Sequence, residues 1–223
     1  MGLNKADIII SGWDGKMGRT LRDLAPNYFS GNLHDWKHLD TQPSTPFVWI
    51  DFSHASCFDS VIEQVRTLNC PLVMGTTGLT EENIQQLKTL SHQIPIFYDT
   101  NFSVGIHIVR KLLKQLPQTC ADFDISIFES HHASKKDAPS GTAKTLANDL
   151  KECFGMLKDV PILSHRGGGI RGQHSVIFAG SNEVITLQHE ALDRSVFAEG
   201  ALKAAQWCLN KNNGFFSMED LLS

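Results

Sequence analysis

A chain of 223 residues with 41% hydrophobic content can bury a sizeable core, either as one large domain or as two small ones. Its 20 basic and 24 acidic residues are well mixed and leave a formal net charge of -4, which excludes an electrostatic footprint for nucleic acid or an anionic membrane and points to a small molecule or another copy as partner. The five cysteines, Cys57, Cys70, Cys120, Cys153 and Cys208, are odd in number and lack C-x-x-C spacing, so they read as reduced thiols of a cytoplasmic protein without a metal site.

In chain order, the N-terminal apolar run is too short for a signal peptide core or a membrane span and reads as a first strand, Ala6 to Ser11, stopped by Gly12. Lys16 to Leu24 follows the glycine turn as a helix. Phe47 to Phe52, Leu72 to Met74 and Ile94 to Tyr98 are apolar runs without polar alternation, as strands of a parallel sheet covered on both faces should be. Between them, Ser56 to Leu68 has helical apolar spacing, and Thr80 to Ser91 opens with a cap and an acidic first turn. The alternation predicts a doubly wound α/β domain.

From Ser103 the pattern changes to a helix ending near Leu116, a strand at Phe123 to Ser130 and a helix from Ser140 to Cys153. Strands at Gln173 to Ala179 and Val184 to Ala191 follow, joined by the turn Gly180-Ser181-Asn182. The expectation is an α/β chain with a Rossmann-like dinucleotide-binding domain, residues 1–101, and a second α+β domain built on a mixed sheet, residues 102–192. A last amphipathic helix, Phe197 to Lys211, lies in a tail, 193–223, expected to pack back on the first domain.

Gly12-Trp13-Asp14-Gly15-Lys16-Met17-Gly18 joins the first strand to the first helix, where glycines let the backbone approach a pyrophosphate resting on the helix N-terminus. Taken alone, this motif is equally an ordinary glycine turn. No convincing second strand follows, and Asp35 and Asp40, which stand where an acidic residue would bind the adenosine ribose, read more naturally as loop surface. Gly75-Thr76-Thr77-Gly78 suits either a nicotinamide pocket at a strand's carboxyl end or a plain turn before the Thr80 cap.

Glu129-Ser130-His131-His132-Ala133-Ser134-Lys135-Lys136-Asp137-Ala138-Pro139-Ser140-Gly141-Thr142 is denser in chemistry. Two histidines and two lysines within six residues can donate a proton and hold carboxylates, and Ser140, Gly141 and Thr142 open a helix whose free N–H groups bind an anion. Two anion-binding devices side by side suggest a substrate with two carboxylates. Hydride reduction of such a substrate needs a dinucleotide and a general acid, and the chain offers segments for both. Arg166 is either a further carboxylate clamp or a surface residue, and His189 and Arg194 are undecided.

Seven segments, GWDGKMGRTL, IDFSHAS, GTTGL, NFSVGI, ESHHASKKDAPSGTA, RGGGIRGQHSVIF and HEALDRSVFAEGALKAAQW, together resemble one family, dihydrodipicolinate reductase. The resemblance spans nearly the whole chain. It implies NADH- or NADPH-dependent reduction of 4-hydroxy-tetrahydrodipicolinate, the cyclic product of pyruvate and aspartate semialdehyde, in lysine and diaminopimelate synthesis, by a homotetramer. It assigns proton transfer to His131 and Lys135 and substrate contacts to His132, Gly141 and Thr142. Cofactor contacts fall at Gly12 to Met17, at Gly75, Thr76 and Thr77, and at Asp99, Thr100, Asn101 and Phe102. Departures from the family pattern are the shortened second-strand region, Trp13 and Asp14 in the turn, and Gln173 where glutamate is common. Two other readings remain open from the dinucleotide half alone: a related reductase of an amino-acid-derived keto or imino acid, and a degenerate dinucleotide-binding regulatory protein.

Overall fold

A computed structural model describes residues 3–39, 43, 46–155 and 159–223. The chain forms two compact units, residues 1–102 with 195–223, and residues 103–194. The first is an α/β unit around a parallel sheet. Its strands are β1 (Asp7–Ser11), β2 (Leu33–Asp35), β3 (Phe47–Asp51), β4 (Leu72–Met74), β5 (Pro95–Tyr98) and β10 (Gly214–Phe216), in the order β10-β5-β4-β3-β1-β2. Ile8, Ile9 and Ile10 in β1, Val48, Trp49 and Ile50 in β3, and all of β4 have no exposed surface. Burial on both faces is why these strands read as unbroken apolar runs.

The helices of this unit end where their chemistry dictates. α1 (Lys16–Leu24) starts at the glycine turn, and α2 (Phe58–Leu68) stops at Asn69, whose φ of 50° ends the helix in the left-handed region. α3 (Glu81–Leu90) carries a reciprocal capping box between Thr80 and Asn83. The helix α6 (Ser195–Cys208) buries Ala198, Ala201, Ala204 and Ala205 against the sheet, and β10 and the short α7 (Met218–Leu221) follow it.

One expectation is corrected here. A second strand does exist: Leu33, His34 and Asp35 pair in parallel with Ile8, Ile9 and Ile10. It is three residues long and half-buried on an edge, so it leaves no periodic signal. Asp7 ties it down, accepting from the Asn32 amide at 2.8 Å and meeting His34 Nε2 at 3.0 Å. Asp35 therefore closes a strand and is not loose surface, whereas Asp40 lies outside the described residues.

β1 lies between β2 and β3, so the chain reverses its winding direction there, and a crevice opens at the carboxyl ends of β1 and β3. Asp51, 1% exposed at the end of β3, organises that crevice. Its carboxylate accepts from the hydroxyls of Ser11, Ser53 and Thr76, and Ser11 in turn accepts from Trp49 Nε1 at 2.9 Å. One buried carboxylate thus joins the ends of β1, β3 and β4.

The second unit has a four-stranded mixed sheet of β6 (Asp124–His131), β7 (Ile162–Arg166), β8 (Gln173–Ala179) and β9 (Val184–Glu190), in the order β7-β6-β8-β9. β7 runs parallel to β6 and the other pairs are antiparallel. α4 (Val104–Leu113) and α5 (Gly141–Phe154) cover one face through Ile106, Leu113, Leu146 and Leu150, packed on Ile125, Ile127, Val176 and Phe178. The strand β7 was not foreseen, because ILSHR is mostly exposed and polar. Register places Glu129 beside His174 and His174 beside His189.

Asp51→Ala should destabilise the first unit by about 2–4 kcal/mol, because three hydroxyls lose their shared buried acceptor. Urea unfolding followed by circular dichroism measures this, and a change below about 0.5 kcal/mol would refute the organising role of Asp51.

Candidate active site

The glycine turn sits in the crevice of the first unit. Gly12 has φ of +85°, and a Cβ on it would lie 2.3 Å from the Phe52 carbonyl oxygen. Gly18 is equally constrained, because a Cβ there would meet the Gly12 carbonyl oxygen at 2.2 Å. The helix α1 has no side-chain cap and no acidic residue in its first turn, so its N–H groups are available to an anion. These features fit a dinucleotide pyrophosphate. Gly12, Trp13, Asp14 and Gly15 line a cleft of about 240 Å³ together with Asp35, Lys37 and His54, which brings the glycine turn and the second-strand acid into one site. Trp13 packs under the guanidinium of Arg22, 4.5 Å from the ring centroid. Lys16 and Met17 form the first turn of α1.

The remaining sequence-expected cofactor residues divide. Gly75 donates its amide to the Asp51 carbonyl at 2.8 Å, and Thr76 is buried with its hydroxyl on Asp51, whereas Thr77 is exposed. Asp99 accepts from the amides of Asn101 at 3.0 Å and Met218 at 3.2 Å. Thr100 is exposed, but Phe102 is 2% exposed and packs on Phe52 and Phe97, with ring centroids 5.4 and 5.8 Å away. Phe102 and Thr76 are structural as side chains, so any ligand they touch meets mainly their backbone.

In the second unit, His131 ends β6 and is largely buried. Its Nδ1 is hydrogen bonded to Glu129, which is wholly buried and also accepts from Arg166 Nη2 at 2.8 Å. Burial would raise the Glu129 pKa, but hydrogen bonds from Arg166, Ser164 and His131 outweigh it and hold the carboxyl down at about 2. His131 is itself lowered, chiefly by burial, with Glu129 opposing and the charges of Lys135 and Arg166 adding to the depression.

His174 on β8 stands edge-on to His131, ring centroids 5.1 Å apart, and its Nε2 meets Ser140 Oγ at 3.1 Å. Ser140 caps α5 by accepting from the Ala143 amide at 3.2 Å, and Gly141 presents open space at the helix N-terminus beside half-buried Thr142. Lys135 Nζ pairs with Asp137 at 2.7 Å, and His132 Nδ1 meets Ser134 Oγ at 2.8 Å. His131, Ser140 and the start of α5 are thus linked through His174, while His132 and Lys135 belong to the turn that follows β6.

Arg166 is neither a free clamp nor a surface residue. Besides Glu129 it donates to the backbone carbonyls of His165 and Asp137. His189 meets Ser103 Oγ at 3.0 Å, below the start of α4. Glu129, His131 and His174 place three ligand-type atoms within 4.8 Å of one another, but the Arg166 guanidinium already neutralises the carboxylate that a metal ion would need.

Residues 29–102 match the family model described as dihydrodipicolinate reductase, N-terminus, and residues 105–222 match the model described as its C-terminus. The chain belongs to the dihydrodipicolinate reductase family. It is similar to the 4-hydroxy-tetrahydrodipicolinate reductase of Thermosipho africanus, at 38% identity over 96% of each chain. The enzyme of the same name from Caldanaerobacter subterraneus subsp. tengcongensis is 35% identical over 96% of this chain and 97% of its own. In fold, the chain resembles a dipicolinate-bound dihydrodipicolinate reductase from Paenisporosarcina sp. TG-14, with TM-score 0.74 and 21% identity over 96% of this chain and 97% of that one.

Asp51 and Glu129 are functional positions without a sequence-expected role, although both lie in segments that carry the family resemblance. A signal was present. Each is an acid at the end of an apolar strand run, FVWID and ISIFE, and a buried acid must be paired.

The site predicts an acid sensitivity. Burial lowers the His174 pKa from its ordinary 6.5 to about 3, with the charge of His131 adding to the effect and Glu129 opposing it. The unfolded chain therefore takes up a proton below pH 6.5 that the folded one refuses, so stability is complete above that pH and falls toward pH 3. At pH 5 the loss from His174 should be about 2 kcal/mol. Glu129 adds a further loss only below its ordinary 4.5. Urea unfolding at pH 7.5 and 5 checks this, and His174→Gln should shrink the difference by about that amount, leaving the loss that comes from the lowered pKa values of His131 and His189.

Proposed function

We propose that the chain reduces 4-hydroxy-tetrahydrodipicolinate to tetrahydrodipicolinate, the step that serves lysine and diaminopimelate synthesis. The carrying observation is the linked end of the second unit, where a buried histidine held by a carboxylate lies one residue contact from a capped helix N-terminus. In the net reaction the substrate loses water and gains a hydride and a proton. Bound NADH or NADPH supplies the hydride to the ring.

His131 and Lys135 handle the proton, the first from a buried ring and the second from a half-buried ammonium. The α5 N-terminus, with Gly141 and Thr142, holds one carboxylate, and His132 and Lys135 face the other. Ser140 adds a directed hydroxyl. It already accepts from Ala143, and neutral His174 carries one ring proton. With that proton on Nε2, His174 donates to Ser140 and keeps a bare acceptor at its unpartnered Nδ1, which costs less than a buried orphan N–H. The Ser140 hydroxyl hydrogen is then free for a substrate oxygen.

Asp35 favours NADH. It stands twenty residues beyond Gly15 at the end of β2, lining the glycine-turn cleft, where a carboxylate accepts from a ribose 2′-hydroxyl and repels a 2′-phosphate. Lys37 beside it gives NADPH a partial welcome. Exposed Val184, Ile185, Leu163 and Leu192, with β9 an open sheet edge, support assembly into the family's homotetramer. A small-molecule substrate, a cytoplasmic setting and no nucleic-acid partner complete the reading.

Purified protein should oxidise NADH in the presence of freshly made substrate, with inhibition by pyridine-2,6-dicarboxylate. Folded protein inactive with both cofactors would refute the assignment. Lys135→Ala should lower kcat by about 10²-fold and leave the cofactor KM nearly unchanged. Asp35→Ser should move the NADPH to NADH ratio of kcat/KM upward by about 10-fold, and an unchanged ratio would remove Asp35 from the cofactor site.

A further inference from the structure

Glu129 and His131 are two apart on β6, so both side chains rise from the same face of the strand. The two carboxylate oxygens serve different partners, Oε1 accepting from Arg166 Nη2 and Oε2 facing His131 Nδ1. We propose that Glu129, anchored by Arg166, is a positioning residue that keeps a proton on His131 Nδ1 and makes Nε2 the atom that exchanges a proton with the substrate. This rests on the reading of His131 as a proton donor.

An ionised carboxylate only accepts hydrogen bonds, so its partner nitrogen must carry hydrogen in both the neutral and the charged imidazole. The proton that comes and goes is therefore the one on Nε2. Space is kept for it, since the backbone approaching Nε2 is Gly172, where a Cβ would sit 3.2 Å away. The groups facing His131 are Glu129 on its own strand, Arg166 at the end of β7, His174 on β8, and Lys135 from the following turn. His174, pushed down to about 3, is neutral at working pH and does not compete for the proton. The arrangement matches the carboxylate-histidine pairs that fix a ring's tautomer and orientation elsewhere.

A glutamine cannot replace Glu129 in this role. Its single oxygen would go to the Arg166 cation, and its NH2 group would face Nδ1 and drive the ring proton to Nε2.

Nitrogen-15 NMR of the full wild-type chain, at an alkaline pH where the imidazole is neutral, should find hydrogen on Nδ1 and a lone pair on Nε2 of His131; the opposite tautomer would overturn the proposal, whether or not any variant folds. Glu129→Gln should flip the tautomer and lower kcat by about 10- to 100-fold, with both KM values within about 2-fold. The alkaline limb of its kcat profile, where His131 loses the proton it donates, should move to lower pH, because Glu129 raises the His131 pKa. Adding Arg166→Met to Glu129→Gln releases the amide oxygen to Nδ1 and should restore the tautomer and about 3-fold or more of kcat. A purely structural role predicts instead that the double variant is worse than the single one, and that result would overturn the proposal. Inactive wild-type protein would refute the reaction, while the wild-type tautomer would still decide the role of Glu129.

Discussion

A carboxyl group taken out of water must be met by hydrogen-bond partners, and each unit of this chain is arranged around one such group. In the first unit Asp51 collects three hydroxyls from the ends of β1, β3 and β4. In the second, Glu129 takes a guanidinium and an imidazole. The cost of leaving either unpaired is several kcal/mol, a large fraction of the stability of a domain this size. The partners are therefore held as firmly as the carboxylates. Asp51 ends β3 and Glu129 stands two residues before the end of β6, so the same demand that completes the folding also steadies the loops that follow.

The consequences differ between the two. Asp51 is enclosed and its donors are neutral hydroxyls, so it makes a rigid floor under the glycine turn and offers nothing to a ligand. Glu129 is enclosed too, but one of its donors is titratable and lies close to the surface of the unit. Rigidity there is transferred to a ring that can gain and lose a proton. The burial that lowers the pKa values of His131 and His174 also keeps that ring from being permanently charged.

Most elements were legible because their signals are local. Lys16 to Leu24 and Leu72 to Met74 fall where the glycine turn and the apolar run put them, and the Thr80 cap was readable from three residues. The elements that escaped depend on distant partners. β2 exists because Asp7 reaches Asn32 and His34, β7 because β6 offers it an edge, and β10 because β5 does. At the site, the residue types of the 129–143 segment announced proton and anion chemistry. What they could not announce was allocation: Arg166 and Glu129 are 37 positions apart, and only the β6–β7 register turns a candidate substrate clamp into an internal one.

Asp14 shows how such allocation extends to the cofactor. A carboxylate next to an uncapped helix start lies in the partial positive field there. A pyrophosphate bound as proposed would draw on the same field, so Asp14 would compete with it. The glycines and the free N–H groups of α1 are shape and dipole, which Asp14 leaves intact, and Lys37 and His54 line the same cleft with side chains able to carry positive charge. Asp35, which lines the same cleft, is placed by β2, a strand three residues long and dependent on Asp7. The acid proposed to choose the cofactor is thus held by a strand that leaves no signal in the sequence.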